Sequence, residues 1–255
     1  MIILMTATAC LLSGCRTEGI YPVTDPTDRP VTSVQTVTPM PQRDEAFSTP
    51  AAVTLLPTPK PLHTKRTVTE MYGLTNIRAI APDIQIDMRY AGSNNLTGAP
   101  VYPCDACVLQ RETAEKLAMA QQLFAQDGYC LLIWDAYRPQ SYHEILYYAA
   151  PLEQRNYFAD PAKGSNHSRG TAVDCTLLYA DGTPVEMPTD FDELSTLARR
   201  YRDDRNEDVQ ANVDYFTQIM NSVGLVGVAS EWWHFNDVNA ADYPLSDHDI
   251  TVFIE

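Results

Sequence analysis

Ser165-Asn166-His167-Ser168-Arg169-Gly170-Thr171-Ala172-Val173-Asp174-Cys175-Thr176-Leu177-Leu178 joins two kinds of sequence. Its first part is polar and ends in glycine. Its second part, Thr171–Leu178, is β-branched and apolar and predicts a buried strand. His167 and Asp174 lie seven positions apart, and on one straight strand such positions face opposite sides. For both to reach one point the chain must bend, and Gly170 is where it can. The strand after the bend would hold Asp174 rigidly.

Outward from this stretch, Tyr129–Trp134 is a second short apolar run and predicts a buried strand. Arg111–Asp127 predicts a helix, with Ala114, Leu117 and Phe124 on one face and Gly128 ending it. Pro139–Ala150 predicts another, opened by its proline. In Asn206–Val223 the residues Val209, Val213, Phe216, Met220 and Val223 recur at helical spacing, and Gly224 follows as a cap. Leu225–Val228 and Glu231–Asn236 predict the last strands. Ile84, Ile86 and Met88 alternate within Ile77–Tyr90, which predicts a strand there. Asn94-Asn95, Gly98 and Pro100 mark a loop. Helices and strands mix without regular βαβ alternation, so the expected class is α+β.

The N-terminal quarter differs. Residues 1–15 are apolar and uncharged, and shorter than the ~20 residues that span a bilayer. They have the character of a secretory signal. Leu12-Ser13-Gly14-Cys15 resembles the bacterial lipobox, in which the cysteine is lipidated, although no Lys or Arg precedes it. An ordinary signal peptide is the alternative. Residues 16–66 hold nine of the eighteen prolines, many threonines and no hydrophobic period, and are expected to form a disordered stalk. The folded domain is expected over 67–255.

A net charge of −15 repels phosphate backbones and argues against a nucleic-acid partner. Of six cysteines, Cys10 and Cys15 fall in the signal segment. Cys104 and Cys107 form a lone C-x-x-C, compatible with a local disulfide or two free thiols. Cys130 and Cys175 lie in apolar runs and are expected to be buried.

Three segments carry chemistry. His167 and Asp174 form the first. Glu231-Trp232-Trp233-His234 forms the second, with a carboxylate and a histidine close together. A catalytic zinc takes three protein ligands and keeps one position for water. His167, Asp174 and His234 would supply two nitrogens and one oxygen, leaving Glu231 as a base and the tryptophans as walls. The third segment is Trp134-Asp135-Ala136-Tyr137-Arg138-Pro139, where Arg138 follows an apolar strand and could face a developing oxyanion. Each segment alone also suits a structural role: a hydrogen-bonded His–Asp pair, an aromatic strand, a salt-bridged arginine. His63, His143 and His248 have no such setting and are read as structural or exposed.

Together these motifs resemble the VanX-type D-alanyl-D-alanine dipeptidases. The family pattern S-x-H-S-R-G-x-A-x-D is met by Ser165 to Asp174, E-W-W-H by Glu231 to His234, and D-x-Y-R-P by Asp135 to Pro139. Asp87-Met88-Arg89-Tyr90 with Asn94-Asn95-Leu96-Thr97-Gly98 resembles its N-terminal signature. The resemblance spans about residues 74–240. It implies a hedgehog/DD-peptidase-like α+β fold, with a central antiparallel sheet flanked by helices. It implies one Zn2+ per chain on His167, Asp174 and His234, Glu231 as general base and Arg138 as transition-state stabiliser. It points to Asp192 for the substrate ammonium, where a helix N-cap before Leu194–Tyr201 is the competing reading. A dipeptidase must hold both termini of a small substrate, and Ser165 is the second candidate. The expected substrate is the D-Ala-D-Ala dipeptide, and the expected location is extracytoplasmic, on a membrane through a lipid on Cys15. A D,D-carboxypeptidase acting on longer stem peptides and a non-catalytic cell-wall-binding module are the alternatives.

Overall fold

The protein's computed structural model describes residues 68–254. The signal segment, Cys15, His63 and the stalk expected over 16–66 lie outside the described residues. In chain order the elements are β1 Glu70–Met71, β2 Leu74–Asn76, α1 Ile77–Ile80, β3 Gln85–Ile86, β4 Val108–Gln110, α2 Arg111–Gln126, β5 Tyr129–Asp135, α3 Gln140–Ala149, β6 Ala172–Tyr179, α4 Glu207–Ser222, β7 Leu225–Gly227 and β8 His234–Asp237.

The apolar runs at β5 and β6 form the antiparallel centre of a five-stranded sheet with order β3-β5-β6-β8-β7. Every pairing in it is antiparallel except β3 with β5, so the expected antiparallel sheet carries one parallel edge. A small sheet, β1-β2-β4, is antiparallel throughout. Among the described residues no helix is long and apolar enough to cross a membrane.

Helical periodicity explains how the sheet is covered. Ala114, Leu117, Ala120 and Phe124 of α2 are all fully buried, as are Val213, Phe216 and Met220 of α4. The two helices touch each other and share strand β7, so they cover the same face. Phe216 of α4 meets Phe235 of β8 edge-on at 4.9 Å. Successive strand residues point to opposite faces, so His234, one position earlier, points away from the helices. Asn206 caps α4 through its side chain, and Gly224 past its end has φ +86°, as a C-terminal glycine requires.

The expected strand over Ile77–Tyr90 is corrected. Asn76 instead caps a single helical turn, accepting from Arg78 N, and Pro82 lies just beyond the end of that turn. Only Gln85–Ile86 pairs as a strand. The last strand also starts later than expected: Trp232–Trp233 form a turn, and β8 begins at His234. No helix spans Leu194–Tyr201; only Thr196–Ala198 make a 3-10 turn, capped by Ser195. Cys104, Cys107, Cys130 and Cys175 are free thiols, and Cys130 is half-exposed rather than buried.

Candidate active site

Sheet register brings the site together. Asp174 of β6 pairs directly with His234 of β8 and, on its other side, with Asp135 of β5. Directly opposed residues point to the same face about 4.5–5.5 Å apart. The β5–β6 register shifts between Ile133 and Asp135, a bulge that turns Asp135 toward Asp174. His167 arrives from the 3-10 turn His167–Arg169, which Gly170 ends with φ +73°. A Cβ at Gly170 would meet Leu74 Cδ2 at 2.6 Å, so both conformation and packing require glycine there.

Hydrogen bonds orient both imidazoles. His167 Nδ1 faces the Ala136 carbonyl at 2.7 Å, so its proton sits there and the Nε2 lone pair is left free. His234 Nε2 likewise faces Asn236 Oδ1 at 3.0 Å, and that oxygen also accepts from Asn166 Nδ2. The two free nitrogens point at each other across 3.2 Å. Asp174 closes the triangle, with Oδ1 2.8 Å from His234 Nδ1 and Oδ2 3.3 Å from His167 Nε2. Two lone pairs and a carboxylate converging in a buried spot repel one another unless a cation or a proton lies between them. The donor set of two nitrogens and one oxygen, within 4.8 Å of one another, suits a divalent metal. Burial alone would raise the pKa of Asp174, but the two histidines hold its carboxyl well below the usual carboxylate range.

Arg138 borders this triangle. Its Nε and Nη2 donate to Asp135 Oδ2 at 2.9 and 2.7 Å, and Nη2 lies 3.6 Å from Asp174 Oδ2. The guanidinium also lies over the Tyr90 ring at 5.2 Å. Burial works against its charge, but Asp135 more than compensates and keeps it protonated.

Two further carboxyls face the space. Burial pushes half-buried Glu231 up to about 7, partly opposed by His234. Burial likewise pushes Asp192 up to about 7, although it accepts from Leu96 N at 3.1 Å and from the Tyr90 hydroxyl at 2.9 Å. Asp192 has φ +60° and caps no helix, which removes the competing reading of this residue. Ser165 is buried, and its hydroxyl accepts from His167 N at 3.2 Å. His167, Asp174, His234, Glu231, Arg138, Asp192 and Ser165 all line one cavity of about 220 Å³. Of the two tryptophans, Trp233 lines it. Trp232 instead packs edge-on against Trp134 and donates to Thr189.

Three participants were not evident from sequence. Asp135 anchors Arg138, and its position three residues before the arginine was the available signal. Tyr90 bridges Arg138 and Asp192 from more than forty positions away in the chain. His143, read as structural or exposed, is buried: its Nδ1 accepts from Arg138 Nη1 at 3.3 Å while its Nε2 donates to the Ala159 carbonyl at 2.9 Å. Burial, then Arg138, lowers its pKa to about 4, so the imidazole is neutral at physiological pH.

Residues 70–253 match the family model described as Peptidase M15, D-ala-D-ala dipeptidase. The D-alanyl-D-alanine dipeptidase of Escherichia coli (strain K12) is 38% identical over 181 residues, covering 71% of this chain and 93% of that protein. The D-alanyl-D-alanine dipeptidase of Enterococcus faecium is 31% identical over 199 residues, covering 71% and 98%. That of Streptomyces coelicolor is 29% identical over 174 residues, covering 60% and 85%.

Proposed function

Because the chain belongs to the Peptidase M15, D-ala-D-ala dipeptidase, family, we propose that it hydrolyses the dipeptide D-Ala-D-Ala with one zinc ion held by His167, Asp174 and His234. The observation that carries this reading is the convergence of two oriented imidazole lone pairs and a carboxylate in a cavity that also holds a raised carboxyl and a fixed guanidinium. Zinc at these ligands supplies a Lewis acid and acidifies a water.

The protein's own groups do the rest. Glu231, pushed up to about 7, is matched to neutral pH. It can take a proton from the attacking water and return it to the leaving amine. Arg138 keeps its charge and is held on two sides, so it meets the oxyanion without first reorganising. Asp192 offers a carboxylate to the substrate ammonium, with the Tyr90 hydroxyl fixing its orientation. Ser165, which also lines the cavity, is the second candidate for holding the substrate. A volume of about 220 Å³ lies below the roughly 300–1,000 Å³ of sites for drug-sized ligands and suits a dipeptide. A carboxyl aimed at a free ammonium favours dipeptidase over carboxypeptidase, because a longer stem peptide has no ammonium at that position.

The sheet with its site on the face away from α2 and α4 supports the hedgehog/DD-peptidase arrangement. Lipidation at Cys15, with residues 16–66 as a stalk, would place the domain outside the cytoplasm against a membrane. The support for this is the Leu12-Ser13-Gly14-Cys15 sequence and the proline content after it. Incorporation of labelled fatty acid that vanishes in Cys15→Ser is the expected result, and equal labelling of both sinks the anchor.

One assay tests the activity. Purified protein is given D-Ala-D-Ala, or a pentapeptide ending in it, with and without chelator. Cleavage of the dipeptide that stops with chelator is expected. Full activity in chelator overturns the metal role, and release of D-Ala from the pentapeptide alone moves the assignment to a carboxypeptidase. Glu231→Gln should keep its zinc and lose about 100- to 10,000-fold in kcat.

A further inference from the structure

Arg200 lies outside the cavity, yet it is 1% exposed, and its acceptors are all uncharged oxygens. Nε donates to the Val228 carbonyl at 3.0 Å. Nη1 donates to the Thr217 hydroxyl on α4 at 2.8 Å. Nη2 donates to two carbonyls, those of Glu231 at 3.1 Å and His234 at 2.8 Å. The guanidinium also lies over the Phe235 ring at 4.3 Å, and Arg200 N donates to the Ala229 carbonyl.

These contacts share a location. β7 ends at Gly227 and β8 starts at His234; between them the Trp233 carbonyl accepts from Cys175 N on β6, while the Val228 and Glu231 carbonyls accept from Arg200. Buried carbonyls need donors. One planar fork donates to the carbonyls of Val228, Glu231 and His234, whose side chains all line the cavity, and through Thr217 ties this stretch to α4. Lysine cannot do this, because a point charge lacks the fork. A buried charge facing only neutral acceptors is a poor means of gaining stability when apolar packing would serve. What this guanidinium provides is geometry.

We propose that Arg200 is a positioning residue for the hydrolytic reaction, fixing the main chain so that Glu231 and His234 enter the cavity in register with each other. The proposal rests on the roles given above to Glu231 and His234. Burial lowers the pKa of Arg200 to about 10, so the fork is charged throughout the neutral range.

Gly227 provides a second handle. A Cβ there would come within 2.2 Å of Arg200 Cζ and 2.4 Å of its Nε. Gly227→Ala therefore displaces the guanidinium without removing it, on a backbone that is not in the left-handed region. The experiment compares Arg200→Lys, Gly227→Ala and the double variant in the zinc-loaded full chain, measuring kcat, KM for D-Ala-D-Ala, zinc content and Tm. A loss of about tenfold or more in kcat at nearly constant KM is expected for each single variant. The double variant should lose no more than the worse single one, since both act through one group. A purely structural role would lower Tm and leave the turnover of folded, zinc-loaded protein within about twofold of the parent. That result, or losses that multiply in the double variant, overturns the proposal. Parental turnover in Glu231→Gln would instead overturn the premise, whatever the Arg200 variants do.

Discussion

Asp135→Asn removes one charge and almost no volume from the centre of the molecule. Asp135 is fully buried and accepts from the Tyr102 hydroxyl at 2.8 Å and twice from Arg138, at 2.9 and 2.7 Å. An amide keeps one oxygen for these donors and turns N–H groups toward the others. Removing one partner of a buried ion pair costs about 3–5 kcal/mol, and the retained oxygen places this substitution near the lower end. For a folded region of this size, about 3 kcal/mol corresponds to roughly 6–12 °C in Tm. The released guanidinium has Asp174 Oδ2 only 3.6 Å away. Arg138 would shift onto that oxygen, compete with the metal for it, and leave the oxyanion position. Zinc affinity should fall by about 10- to 100-fold, and kcat by about 100- to 1000-fold. Thermal melts with and without zinc, a zinc titration and dipeptide hydrolysis measure the three effects separately. A zinc-free Tm within about 2 °C of the parent, with zinc affinity unchanged, would refute the claim that Asp135 holds Arg138 off the metal site.

Three other perturbations have definite signs. Asp192 has a folded pKa of about 7 against an ordinary value of 3.8, so the folded protein holds a proton that the unfolded chain has lost between those values. Stability should therefore decline as pH rises through that window, and Asp192→Asn should make the decline shallower in urea titrations at stepped pH, leaving the part that Glu231 contributes. The same carboxyl binds ammonium only when ionised, so KM should rise as pH falls below about 7 and lose that dependence in Asp192→Asn. His143→Leu removes one neutral acceptor from Arg138 and should lower kcat roughly 2- to 10-fold with zinc content unchanged, as steady-state kinetics and metal analysis would show. Gly170→Ala forces a side chain into left-handed backbone against Leu74 and should cost about 1–3 kcal/mol, read by denaturant unfolding, together with weaker zinc binding as His167 is displaced.

What the amino-acid order determined by itself was local. The period of Val209, Val213, Phe216 and Met220 requires a helix whatever surrounds it, because only that geometry buries them on one face. The apolar runs at Tyr129 and Ala172 require strands, and the glycine after Arg169 requires a bend. The residue types at 167, 174, 231 and 234 pointed to a chemistry only when taken together, since each segment alone also suits a structural role. The pairing of β5, β6 and β8 was not legible. It alone sets Asp135, Asp174 and His234 in one row, and register is decided by contacts between distant segments. Short segments misled for the same reason. Ile77–Tyr90 alternates like a strand, but a side-chain cap at Asn76 and a proline at 82 decide its shape. His143 and Arg200 carried no local signal at all. Their partners lie on other elements, and a buried imidazole or guanidinium takes its role from whichever oxygen or nitrogen the fold brings within about 3 Å.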